Sequence, residues 1–105
     1  MTVVLDALAA HARQAEYFLC LYVSGSTLKS ARAVVNIKRI CEECLKNRYT
    51  LEVIDIYQQP DLARRDQIVA VPTLIKRRPL PPRRLVGDLS NRESVLQGLD
   101  LDDRD

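Results

Sequence analysis

Residues 17–23, YFLCLYV, form an apolar run with no wet side. A strand with one face in water alternates apolar and polar residues. A continuous apolar run is what a strand covered on both faces requires. Cys20 lies inside the run and reads as a core residue. The run stops at Ser24-Gly25-Ser26-Thr27, where Ser26 or Thr27 can offer an oxygen to the first free N–H groups of a helix. Residues 28–45 read as that helix. Leu28, Ala31, Val34, Val35, Cys41, Cys44 and Leu45 share one broad face, widened by Ile37 and Ile40, and Asn47 ends it. Residues 51–56, LEVIDI, give a second strand. A strand, a long helix and a strand make a crossover unit, so the two strands are expected to be parallel with a right-handed connection.

The second half is less uniform. Pro60 fits the first turn of a short helix that runs to Asp66, because its missing N–H costs nothing there. Ile68, Val69, Ala70, Val71, Thr73, Leu74 and Ile75 then read as a buried strand, yet Pro72 interrupts them. Proline inside a strand is confined to edges and bulges. Pro79, Pro81 and Pro82 follow, interleaved with Lys76, Arg77, Arg78, Arg83 and Arg84. Conflict of this kind between local signals marks function or conformational choice. The basic cluster has no aromatic neighbours on which nucleic-acid bases could stack. It reads as a solvated loop or, more sharply, as a docking patch for an acidic protein surface, since arginine pairs carboxylates with two hydrogen bonds. Leu85-Val86 is a short apolar pair. Ser90-Asn91-Arg92-Glu93 has the form of a capping box opening a helix over 91–99, in which Val95, Leu96 and Leu99 face inward. Gly98 inside that helix costs about 1 kcal/mol relative to alanine. The order βαβαββα, with a proline in the third strand, is that of an α/β thioredoxin-like domain, where the X-Pro bond is expected to be cis.

The chain has 105 residues and is expected to form a single domain: a leader over 1–15, a core over 16–101 and an acidic tail over 102–105. Leu5, Leu8, Ala9 and Ala12 have helical spacing in the leader, which also holds the only histidine, His11. No apolar run approaches the roughly 20 residues needed to span a bilayer, and we read no signal peptide, so a cytoplasmic protein is expected. Three cysteines are a poor disulfide framework. Cys41-Glu42-Glu43-Cys44 is a C-x-x-C motif, but it lies near a helix C-terminus, where the dipole and two glutamates disfavour thiolate. A structural zinc site needs four ligands, and only Cys20 and His11 remain, both distant in sequence. There is no phosphate-binding glycine loop and no Ser/His/Asp signature. No catalytic residue, metal or cofactor is expected, and the chain does not read as an enzyme.

These residues point to a family. Tyr17-x-Leu19-x-Leu21-Tyr22-Val23-x-Gly25 resembles the opening of the KaiB proteins of the circadian Kai system. Val53-Ile54-Asp55, Pro60-x-Leu62-Ala63, Asp66-x-Ile68-x-Ala70, Pro72-Thr73-Leu74, Pro81 and Arg83-Arg84 also match. Most specific is Gly87-Asp88-Leu89-Ser90-Asn91-Arg92-Glu93, followed by Val95-Leu96-x-Gly98-Leu99-Asp100-Leu101. The resemblance implies a metamorphic protein. Its ground state, βαββααβ and often a tetramer or dimer, would exchange with a thioredoxin-like βαβαββα monomer that binds a KaiC-type ring ATPase. KaiA and a KaiB-like sensor histidine kinase are implied as further partners or competitors. The resemblance gives Arg32, Lys76, Arg83 and Arg84 docking roles, and assigns Tyr17, Pro72, Gly98 and Asp100 to the fold equilibrium, with Pro72 cis in the thioredoxin-like state. Several residues depart from the family pattern: Arg64-Arg65 for an acidic pair, Arg77-Arg78 for apolar residues and Pro82 for valine. Glu52 stands where clock members carry lysine, which counts against KaiA. The departures fit a divergent member acting in stress or simple timing. The competing class is a thioredoxin-like redox protein, which would exchange disulfides through Cys41 or Cys44.

Overall fold

The computed structural model describes residues 16–101; the leader over 1–15 with its expected helix, His11 and the acidic tail lie outside the described residues. Seven elements follow one another: β1 (Tyr17–Val23), α1 (Leu28–Cys44), β2 (Tyr49–Asp55), α2 (Pro60–Arg65), β3 (Thr73–Arg78), β4 (Arg83–Val86) and α3 (Arg92–Gly98). This is the thioredoxin-like βαβαββα order. The four strands make one sheet in the order β2-β1-β3-β4. β2 is parallel to β1, pairing Tyr17 with Tyr49 through Val23 with Asp55. β3 is antiparallel to β1, and β4 to β3.

β1 is interior, and its apolar run is explained by two covered faces. Leu19, Leu21 and Val23 join Leu74 beneath Ala33, Ile37 and Cys41 of α1 and Val95 and Leu96 of α3. On the opposite face Cys20 and Tyr22 join Ile54 and Ile75, packed against Leu62 and Ala63 of α2 and Ile68 and Val71 beyond it. Thr27 caps α1, its hydroxyl accepting the Ser30 N–H at 3.3 Å. The chain leaves α1 through Asn47 in the left-handed region at φ 63°, a conformation asparagine tolerates.

Five expectations need correction. The inner face of α1 is Ser30, Ala33, Ile37, Ile40 and Cys41. Leu28 and Val35, assigned to that face from sequence, are exposed, because the sheet lies under a stripe rotated from the one the apolar residues alone suggest. β2 begins at Tyr49, earlier than residue 51, since its pairing to β1 starts there. The third strand starts only after Pro72 and runs on to Arg78, so Ile68–Val71 are not strand and Val69 is 97% exposed. Pro72 thus stands just before the ladder, where its missing N–H breaks no pairing. The basic cluster is accordingly not a loop: Lys76, Arg77 and Arg78 lie in β3, and Arg83 and Arg84 in β4. Finally, Asn91 caps α3, not Ser90. Its side-chain oxygen accepts the Ser94 N–H at 3.1 Å, while the Ser90 N–H is taken by the Asp88 carboxylate at 3.0 Å. The bonds Val71–Pro72, Arg78–Pro79 and Leu80–Pro81 are cis.

Candidate docking site

The end of the chain is tied to the sheet at one corner. The Tyr17 hydroxyl, at the start of β1, donates to the Leu99 carbonyl at 2.9 Å. Lys76 has a side chain with no exposed surface, and its Nζ donates to Asp100 Oδ2 at 2.6 Å. The other Asp100 oxygen lies 3.6 Å from Arg83 Nη2. Asp100 takes a left-handed φ of 59° to turn its carboxylate back. The Lys76 hydrogen bond holds that carboxyl below the usual carboxylate range, with Arg83 adding to it. Burial pushes the Tyr17 hydroxyl up, and the Asp100 charge pushes it further. Gly98, next along the chain to Leu99, packs against β4 beside this corner: a Cβ there would overlap the Leu85 side chain.

Tyr17, Asp100, Lys76 and Arg83 therefore converge, with Gly98 beside them. Two of them were expected to dock a partner, and the structure gives Lys76 a different task. With its ammonium enclosed and bonded to Asp100, it presents nothing to a partner in this fold.

The other expected residues gather around a second feature. An open groove of about 350 Å³ lies between β4 and the start of α3, lined by Arg84, Val86, Gly87, Asp88, Asn91 and Val95 among others. The Pro72 carbonyl accepts the Gly87 N–H at 3.0 Å, joining the turn before β3 to the groove floor. Asn36 of α1 donates to the Asp88 carbonyl at 2.8 Å. The Asp88 carboxyl is held below its usual range by hydrogen bonds from Ser90, and then by the charges of Arg32 and Lys29 on α1. Arg84 thus lines the groove, and the charge of Arg32 on α1 reaches Asp88 in its lining. Arg84 also bonds the carbonyls of Asp66 and, at 3.3 Å, Gln67.

Sequence reading missed a third set of ties. Arg77 Nη2 lies 2.6 Å from Asp66 Oδ2, and the Tyr22 hydroxyl donates to the same carboxylate and lies 3.2 Å from the Leu62 carbonyl. Arg77 first, against the cost of burial, holds Asp66 below its usual range. Arg92 of α3 pairs with Glu43 at 2.8 Å and donates to Cys44 Sγ at 3.5 Å on α1. No local motif announces these pairs, because their partners are 11 to 49 residues apart. The only hint was that Arg77 stood where an apolar residue was expected.

Thiol chemistry finds no support in this geometry. Burial pushes the Cys41 thiol up to about 12, with Cys44 and Glu42 adding to it, and Cys20 is also pushed up by burial. The N-terminus of α1, where a helix dipole favours thiolate, carries Ser24 to Thr27 instead. No group of three potential metal ligands exists among the described residues, and none of the described helices is long and apolar enough to cross a membrane.

A sequence profile of the KaiB domain matches residues 20–101. The chain belongs to the KaiB family. It is 54% identical over 85 residues to the circadian clock oscillator protein KaiB of Prochlorococcus marinus subsp. pastoris, covering 81% of this chain and 79% of that one. It is 47% identical over 83 residues to the circadian clock protein KaiB3 of Synechocystis sp., covering 79% and 81%. Among solved structures, the N-terminal domain of Synechococcus elongatus SasA superposes with a TM-score of 0.67 at 26% identity, covering 85% of this chain and 88% of that one. Mitochondrial thioredoxin 3 of Saccharomyces cerevisiae superposes with a TM-score of 0.66 at 12% identity, covering 91% and 88%, and shares the fold alone. Two KaiB-like segments lie at the features described: residues 87–91 of the first line the groove, and the second carries Asp100 into the corner and Gly98 against Leu85.

Proposed function

We propose that this chain is a non-enzymatic clock or timing regulator that docks on a KaiC-type ring ATPase. The observation that carries this reading is the 54% identity to a circadian clock oscillator KaiB over 85 residues. The resemblance in fold to the SasA domain supports competition between the two kinds of protein for one surface of the ring. The groove beside β4, lined by Arg84 and within reach of the Arg32 charge, is the docking site in this reading. The corner built by Tyr17, Lys76 and Asp100, with Gly98 beside it, decides how much of the protein holds the thioredoxin-like arrangement against a second, oligomeric packing of residues 60–101. Any such second state lowers the apparent affinity by the fraction it holds.

The test is the native mass of the full chain, alone and over hours with the KaiC-type ATPase of the same genome and ATP. Slow conversion of an oligomer into a ring carrying monomers supports both docking and fold exchange. A complex formed within seconds supports docking without a slow exchange. No complex with any nucleotide or phosphorylation state overturns the docking reading.

A further inference from the structure

The hairpin joining β3 to β4 carries five basic residues, and the structure uses four of them internally. Lys76 and Arg83 go to Asp100, Arg77 to Asp66, and Arg84 to the carbonyls of Asp66 and Gln67. Arg78 is the remainder: it is exposed and makes no ion pair or hydrogen bond among the described residues. Its cross-strand neighbour is Phe18, 42% exposed. Both line a cleft of about 270 Å³ with Cys20, Thr50, Glu52 and Arg77. Glu52, although in the same cleft, forms no ion pair with Arg78. Two residues beyond Arg78, Leu80 is 64% exposed at the hairpin tip, between Pro79 and the exposed Pro81 and Pro82.

The tip has a definite chemistry. Its three prolines have no N–H to donate and fixed φ angles, so it does not extend a sheet and loses little freedom on binding. What it offers is an aliphatic knob beside an unpaired guanidinium. We infer that Phe18, Arg78 and Leu80 form a contact surface for an acidic protein partner. Arg78 takes a carboxylate through paired hydrogen bonds, while Leu80 and Phe18 bury against aliphatic surface next to it. The inference deepens the docking reading and rests on it, but moves the contact from Lys76, which is enclosed, to residues the hairpin presents. A nucleic acid is the poorer fit, since four of the five cations already have partners, leaving a single free guanidinium for a chain of phosphates. An anionic membrane is also poorer, since a single exposed leucine gives only a weak anchor.

The experiment measures equilibrium binding of the full chain to the KaiC-type ring ATPase with ATP, for Arg78→Glu, Leu80→Ser and a control reversal, Arg39→Glu, on the exposed side of α1. Thermal unfolding of each variant, matched to the unaltered protein, confirms that the fold is intact. The expected result is at least about a tenfold loss for Arg78→Glu and for Leu80→Ser, with Arg39→Glu unchanged. Unaltered protein that binds while both variants bind equally well overturns this assignment alone. Unaltered protein that does not bind overturns the docking reading and this assignment with it. Variants that keep the ring but lose phosphatidylserine vesicles or single-stranded RNA also overturn it, by reassigning the surface to another class of partner.

Discussion

Tyr17→Phe isolates the bond that ties the last helix to the first strand. Tyr17 is 5% exposed, and its hydroxyl lies 2.9 Å from the Leu99 carbonyl. Phenylalanine fills the same space, so no cavity forms. Two effects remain. A typical net hydrogen bond contributes about 1 kcal/mol, and a buried carbonyl left without its partner costs about 1–3 kcal/mol more. A loss of about 2 kcal/mol is expected, which lowers the melting temperature of a domain this size by roughly 10 °C. Urea unfolding followed by circular dichroism reads the midpoint. Tyr49→Phe serves as control, because Tyr49 bonds Glu42 at 3.2 Å on the exposed surface, and its removal is expected to cost under about 0.5 kcal/mol. If Tyr17→Phe unfolds no earlier than Tyr49→Phe, the corner is not held as described.

The remaining predictions concern the same packing. Lys76→Met removes an enclosed charge and leaves a carboxylate that water reaches, whereas Asp100→Asn leaves the enclosed ammonium without its anion; Asp100→Asn is therefore expected to unfold at lower urea than Lys76→Met, and the reverse order would refute the account. Gly98→Ala would press a Cβ against Leu85 Cγ and both of its Cδ atoms, and Leu85 packs on the main core, so the clash is expected to outweigh the up to about 1 kcal/mol of helix propensity gained. A lower melting temperature is expected, and a rise would mean that Leu85 moves aside without loss. Burial raises the hydroxyls of Tyr17 and Tyr22 in the folded state, so their stabilisation is whole below the ordinary tyrosine value near 10 and is lost as pH climbs above it. Tyr22→Phe is expected to flatten that alkaline decline, measured as urea midpoint against pH. Asp66 shifts the other way: its folded value is depressed, so its stabilisation holds above the ordinary aspartate value near 4 and fades below it, and Asp66→Asn is expected to remove part of the acid limb.

The N-terminal half was legible because its signals agree. An apolar run, a threonine cap and a long helix each point to the same crossover unit; the start of β2 was set two residues late, and the rotation of α1 was misjudged, since Leu28 and Val35 look as apolar as the residues that are buried. The second half was harder for a physical reason. Pro72 was read as an interruption within a strand, whereas the strand begins after it, and Val69 sits in water despite its β-branched side chain. The basic run looked like a solvated surface because charge is read from composition, and composition does not reveal that Asp100 and Asp66 return to meet it. Of the candidate site, the convergence of Tyr17 and Asp100, with Gly98 beside them, rests on contacts up to 82 residues apart, which no local spacing encodes.

β1 belongs to both halves of the molecule. It carries the parallel partner that closes the crossover unit, the antiparallel partner that begins the second half, and the hydroxyl that reaches the end of α3. The second half is attached through the β1–β3 ladder and two apolar cores, with three discrete polar ties at their margins, Tyr17 to Leu99, Lys76 to Asp100 and Asp66 to Arg77. Single substitutions at those ties can therefore retune how firmly the second half is held while leaving the crossover unit intact. For a lineage of such proteins, drift at a handful of side chains is enough to change how firmly one half is held without rebuilding a core.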